Sequence, residues 1–151
     1  NIATSCARVV RLFGFDPKIA FLSHSTFGIP MTQRTKHIRD AVEILKKKKV
    51  DFKFDGDMQP DVALNNEYAE LYPFSEIVGN ANILIMPGQH SAAISYKIMK
   101  TLGDAKVIGP LLIGLGQPIE IAPLRSSVSD ILNLASVAAY SAGVINYKNP
   151  N

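Results

Sequence analysis

The chain has one cysteine, Cys6, so no disulfide can close within it. Secreted domains tend to pair their cysteines, and a single thiol leads us to expect a reducing, cytoplasmic setting. No apolar run approaches the roughly 18 residues a membrane span requires, and no signal peptide is legible at the start. There is no initiator Met either. The opening "NIATSCARVVRLFGFDP" reads as an amphipathic helix entered partway, so a fragment of something longer is expected. The net charge is only +3, and no clustered basic face gives a case for nucleic acid. No G-x-S-x-G is present, which argues against a serine hydrolase. No Walker sequence or G-x-G-x-x-G is present, and "GLGQP" is followed by a strand-like run rather than a helix, so it is a turn.

What is present is an ordinary globular composition. Of 151 residues, 47% are hydrophobic and 19% charged, enough for one domain with a proper core. Apolar spacing predicts a helix over Ile2 to Leu12, stopped by Gly14 and Pro17. "KIAFLSHS" reads as a buried strand, "TFGIPM" as a loop, and Thr32 to Lys49 as a helix with Ile38, Ala41, Val42 and Leu45 on one face. Lys46 to Lys49 close that helix, where cations oppose the negative end of its dipole. "VDFKFDG" alternates like a strand. "DMQPDVALN" begins a helix with Pro60 in its first turn. "ANILIMP" is an apolar strand, and "GQHSAAISYKIMKTLG" a helix closed by Gly103. "KVIGPLLIGLGQPIEIAP" reads as two strands around the Gly114–Pro118 turn, with scope for an antiparallel element. The last helix is expected from Ser127 to Gly143, with a frayed tail beyond. Strands alternating with helices predict an α/β fold, three layers with a mostly parallel sheet between helices.

In such sheets ligands gather at the carboxyl ends of the strands. Three polar junctions lie there: Ser23 to Gly28, Asp55 to Asp61, and Pro87 to Ser91. Ser23, Ser25, Thr26 and Gly28 offer hydroxyls and backbone N–H groups to a phosphate or carboxylate, or simply satisfy their own loop. Asp55, Asp57 and Asp61 lack the Gly and Glu places of an EF-hand loop. Helix capping by Asp57 is the expected role, and no metal site is assigned. Gln89 and His90 stand at a helix start, and a lone His without an acidic partner is usually structural. Ser127 and Asp130 form a capping box with Asp in the Glu/Gln place. Arg125, just before them, is left to face an anion.

Four blocks, "FLSHSTFG", "FDGDMQPDVALN", "ANILIMPGQHSAAISYKIMKTLGDAKVIGPLLIGLGQPIEI" and "SVSDILNLASVAAYSAG", stand in the order and spacing of the C-terminal half of phosphate acetyltransferases. The chain resembles that family over nearly its whole length. The resemblance implies two α/β domains around a cleft, related in fold to isocitrate and isopropylmalate dehydrogenases, and acetyl transfer between coenzyme A and phosphate. It implies that residues 1–126 are the second α/β domain, that 127–145 form a helix packing on a missing first domain, and that 146–151 fray.

Active members read approximately "S-R-G-x-S-V-x-D-I" where this chain has "PLRSSVSDI". On that resemblance Pro123 takes the place of the site serine and Leu124 that of the site arginine. A second family arginine falls on Thr101. Ser127 and Asp130 match. Arg125 sits at the glycine position, and one residue of offset at a helix entrance turns a side chain by roughly 100°. The pattern resembles the acetyltransferase-like domain at the C-terminus of long-type bacterial malic enzymes. There the transferase residues have decayed, and the domain serves assembly and regulation, with acetyl-CoA as inhibitor. The implied parent uses NAD(P) with Mg or Mn, held by residues outside this chain, and forms a homo-oligomer. This chain is expected to hold no catalytic residue, only ligand contacts from Ser23, Ser25, Thr26, Gly28, Gln89, His90, Arg125 and Ser127. The rival is an active phosphate acetyltransferase working through Ser127, Asp130 and a shifted Arg125.

Overall fold

A computed structural model of the chain describes residues 1–103 and 106–148, the side chains of the last four among these excepted. The elements are α1 (Ile2–Leu12), β1 (Lys18–Leu22), α2 (Gln33–Lys47), β2 (Lys53–Met58), α3 (Pro60–Leu64), a 3₁₀ turn (Asn66–Tyr68), β3 (Ile83–Ile85), α4 (Gln89–Leu102) and α5 (Val128–Lys148). Two compact units are present, Asn1–Lys97 and Ile98–Asn151, the division falling within α4. No described helix is long and apolar enough to cross a membrane.

The first unit is built around a three-stranded sheet in the order β2-β1-β3, and both pairings are parallel. β1 lies in the middle, and four of its five residues are buried, which is why "KIAFL" reads as a continuous apolar run rather than an alternating one. Successive side chains take opposite faces. Ile19, Phe21 and Ile83 join Ala3 and Ala7 of α1 and Val42 and Leu45 of α2 on one side. Ala20, Leu22 and Met58 join Val62, Ala63, Ile77 and Val78 on the other. The expected three layers are therefore present. Ala3 and Ala7, four apart, leave α1 a smooth face against the sheet.

Local signals set the helix ends. Thr32 caps α2: its hydroxyl accepts from the Thr35 amide at 3.2 Å, and the Thr35 hydroxyl accepts from the Thr32 amide at 2.8 Å. Pro60 opens α3, where its missing N–H costs nothing.

Two expectations are corrected. Asp57 is not a helix cap. It belongs to β2 and is fully buried, while α3 is preceded by Gln59 with no side-chain cap. The two strands expected around Gly114 are not strands among the described residues of 106–127. Apolar alternation signals a face to bury, but a strand also needs a neighbour to pair with, and Pro110, Pro118 and Pro123 have no N–H to give. Ile108, Leu112, Ile119 and Ile121 stay 41–59% exposed. A side chain ties the two limbs of this turn instead, the Leu112 amide donating to Glu120 Oε2 at 3.0 Å. α5 continues past Gly143 to Lys148. The rest of the expected frayed tail, residues 149–151, lies outside the described residues.

Candidate functional site

The predicted residues divide between the two units. Ser23, Ser25, Thr26, Gly28, Gln89 and His90 belong to the first; Thr101, Pro123, Leu124, Arg125, Ser127 and Asp130 belong to the second.

In the first unit the carboxyl ends of β1 and β2 converge. The pairing runs Phe21↔Gly56 and then Leu22↔Met58. Asp57 is therefore an extra residue on β2, a bulge, and bulges redirect side chains. Strict alternation would put Asp57 on the same face as half-buried Asp55. The bulge instead buries both Asp57 and Met58. Gly56 makes the step possible. Its φ is 149°, and a Cβ there would lie 2.6 Å from the Phe21 carbonyl oxygen.

The buried carboxylate organises the loop after β1. Ser25, fully buried, donates its hydroxyl to Asp57 Oδ2. The Ser23 and Ser25 hydroxyls lie 3.3 Å apart. The Phe27 amide donates to the Asp57 carbonyl at 2.6 Å. Gln59 adds two straps, its amide donating to Thr26 Oγ1 at 3.2 Å and its Nε2 to the His24 carbonyl at 3.0 Å. Asp57 Oδ1 is buried without a hydrogen-bond partner among the described residues. A buried polar group left unpaired costs about 1–3 kcal/mol, so the surrounding straps must outweigh it. Ser23, Ser25 and Thr26 are thus spent on the loop itself.

Gln89 and His90 form the first residues of α4 and are exposed. No hydrogen bond joins them to the serine loop among the described residues. No group of three His, Cys, Asp or Glu side chains converges there on a metal position either.

In the second unit the start of α5 is a closed capping box. The Ser127 amide and hydroxyl both donate to Asp130 Oδ2 at 2.9 Å, and the Asp130 amide donates back to Ser127 Oγ at 3.2 Å. The amide bond first, and then the hydroxyl, hold the Asp130 carboxyl below its ordinary range, with Lys100 and Lys106 adding a smaller pull. The stabilisation is therefore present above the ordinary aspartate range and is lost as pH falls through the lowered folded value. Ser127→Ala is expected to cost about 1 kcal/mol. It should also raise the Asp130 value only partway, because the amide bond survives. An NMR titration of the carboxyl checks this, and a complete return to the ordinary value would mean that the hydroxyl alone carries the box. Pro123, Leu124 and Arg125 precede the box and are exposed, Leu124 completely so. Arg125 makes no hydrogen bond or ion pair among the described residues.

Three features escaped the sequence reading: Asp57 as the loop's anchor, the Gln59 straps, and Arg39 of α2, whose guanidinium rests against Gly28. The DGD stretch was a visible signal for the first. The other two depend on contacts between elements that sequence spacing does not reveal.

Comparison with known proteins agrees with this fold. The phosphate acetyl/butaryl transferase family model matches residues 1–139. An NADP-dependent malic enzyme of Rhizobium meliloti (strain 1021) is 47% identical over 143 residues, covering 95% of this chain and 19% of the relative. The phosphate acetyltransferase of Bacillus subtilis (strain 168) is 36% identical over 143 residues, covering 94% of this chain and 44% of the relative. A phosphotransacetylase structure from Streptococcus pyogenes superposes with a TM-score of 0.88 at 38% identity, over 95% of this chain and 44% of that one. The chain thus spans about a fifth of the malic enzymes it matches, and less than half of the acetyltransferases. On its match from residue 1 to 139, this chain is a member of the phosphate acetyl/butaryl transferase family.

Proposed function

We propose that this chain is the acetyltransferase-like part of a malic enzyme, retired from acetyl transfer and kept for regulation by acetyl-CoA and for assembly. The observation that carries the reading is Pro123-Leu124 standing where active members of the family place a serine and an arginine, just upstream of a cap that is intact. The chemistry of the retired reaction explains why this matters. Acetyl transfer to or from phosphate builds negative charge, which fixed cations must stabilise. A leucine side chain offers no charge and no hydrogen-bond donor. The 47% identity to a malic enzyme supports the same parent.

In this reading the complete protein oxidises and decarboxylates malate to pyruvate with NAD(P) and Mg or Mn. The described residues of this chain do not fit those groups. No metal-binding cluster occurs among the described residues, and the sequence has no dinucleotide loop. Both belong elsewhere in the protein. The regulatory role then rests on residues 1–126 as the second domain of the old cleft, with the helix of residues 127–145 packing on the first domain. The complete protein is a cytoplasmic homo-oligomer.

The rival, a working phosphate acetyltransferase, draws support from the surviving Ser127–Asp130 pair. Malate turnover of the complete protein, measured with and without acetyl-CoA, tests the main reading. Inhibition is the expected result, weakened in Arg125→Ala if that free guanidinium meets the ligand. Turnover and oligomer both indifferent to acetyl-CoA would overturn regulation and leave assembly alone.

A further inference from the structure

The loop after β1 ends in a tight turn. The Thr26 amide donates to the Ile29 carbonyl at 3.2 Å and the Ile29 amide to the Thr26 carbonyl at 3.1 Å. Between them Phe27 has φ 49° and Gly28 φ 86°, the two positive values of a type I′ turn. Two residues further on, Met31 stands just before Thr32, the cap of α2. An apolar side chain at that place commonly packs on the fourth residue of the helix. Here that residue is Lys36, and Met31 stays 58% exposed. Its sulfur turns to Thr35 instead, whose hydroxyl donates to Met31 Sδ at 3.8 Å and to the Thr32 carbonyl at 3.0 Å. Thr35 is fully buried and completes the capping box, so one side of the exposed sulfur rests on a fixed group.

The same side chain reaches the turn. A Cβ at Gly28 would lie 2.9 Å from Met31 Cε and closer still to the Arg39 guanidinium. Met31 and Arg39 therefore share the space that the glycine leaves open. Thr35 and Arg39 are four apart on α2 and face the same way. Glu43 is the acidic neighbour that Arg39 attracts, and its carboxylate is bonded to Lys46 at 2.8 Å. A guanidinium has five N–H donors, so a further acceptor can join Arg39 without displacing Glu43. A thioether is a poor acceptor, but its sulfoxide is polar and accepts well.

We propose that Met31 is a site of oxidation by peroxide, and that Arg39 takes the sulfoxide oxygen and so fastens the Phe27–Gly28 turn to α2. The sulfur lone pair attacks one oxygen of hydrogen peroxide. The S–O bond forms as the O–O bond breaks. Sulfur is oxidised to the sulfoxide, and the peroxide is reduced to water, which keeps both hydrogens. Thr35 adds a stereochemical consequence. Its hydroxyl covers one lone pair of the sulfur, the peroxide reaches the other, and one sulfoxide epimer forms. Methionine's rotatable bonds then bring the oxygen to the guanidinium across the open glycine. Nothing in this inference depends on the regulatory reading above.

The test treats the complete protein with dilute hydrogen peroxide and reads its methionines by peptide mass spectrometry. Repair by each of the two epimer-specific methionine sulfoxide reductases follows. Met31 should oxidise well ahead of the fully buried Met58, and one reductase alone should restore nearly all of it. Hydrogen exchange then reads the turn through the Ile29 amide. A new bond to a charged donor should slow that amide about tenfold, and reductase treatment should reverse the change. The slowing should vanish in Arg39→Gln, an exposed position, and in Met31→Leu, which has no sulfur to oxidise. Met31 left intact under conditions that oxidise Met58 would overturn the site. Equal repair by the two reductases would overturn the role of Thr35. An Ile29 amide unaffected by oxidation, or slowed just as much in Arg39→Gln or Met31→Leu, would overturn the capture by Arg39.

Discussion

Gly56→Ala is expected to loosen β1 from β2 and dismantle the loop that follows. The new Cβ would lie 2.6 Å from the Phe21 carbonyl oxygen and 2.7 Å from the Phe21 Cβ. Neither neighbour is the free end of a flexible side chain, so the strands themselves must separate. The φ of 149° adds strain for any residue with a Cβ. Phe21 is the direct partner of Gly56 in the parallel pairing, and the bulge that buries Asp57 begins at that step. We expect a loss of about 3 kcal/mol or more, a large share of the 5–15 kcal/mol that holds a typical domain. Amide hydrogen exchange in the complete protein reads it locally. Protection of the β1 and β2 amides should fall by about a hundredfold or more. Gly88→Ala, with no heavy atom within 4 Å of its new Cβ, serves as the control and should change little. Equal protection in the two variants would show that the β1–β2 register relaxes at low cost.

Features that depend on neighbours in sequence were legible. The helix face of Val42 and Leu45, the cap at Ser127 and the proline at the head of α3 each rest on residues one to four apart, and spacing alone identifies them. Asp57 was misread because its burial depends on a register shift at Phe21/Leu22, between two strands far apart in sequence. A period of two, applied to "KFDGDM", puts Asp55 and Asp57 together, and only the bulge separates them. The segment around Gly114 failed in the opposite direction. Its apolar pattern is real, but no partner strand pairs with it among the described residues, so the pattern gave strands that did not form. Arg39 was invisible for a third reason. On α2 it looks like any exposed helical arginine, and its meaning comes from Gly28, whose missing side chain leaves the room.

The complete protein is expected to form acetyl phosphate from acetyl-CoA and phosphate at a rate at least about 10⁴-fold below that of a working acetyltransferase. Loss of one fixed donor to a developing negative charge costs about 10²–10³ in rate, and two positions are affected, Leu124 and Thr101. The effects of groups acting as a unit do not multiply cleanly, which is why the expected factor sits at the low end of the product. Arg125 does not compensate. It is one residue along from the arginine position and lies in the turn before α5, ahead of the box rather than forming part of it. The surviving Ser127–Asp130 pair does not rescue the reaction either. Its capping bonds engage Oδ2, which accepts twice from Ser127, and the Ser127 hydroxyl, which accepts from the Asp130 amide. Those bonds explain the pair by helix stability alone. A coupled assay for acetyl phosphate decides the matter, with Pro123→Ser/Leu124→Arg as the companion variant. A measurable rise in the double variant would place the lost chemistry at those two positions. Full activity in the unaltered protein would mean that cations from outside this chain do the work, and that the leucine at the head of α5 is a tolerated substitution rather than the mark of a retired site.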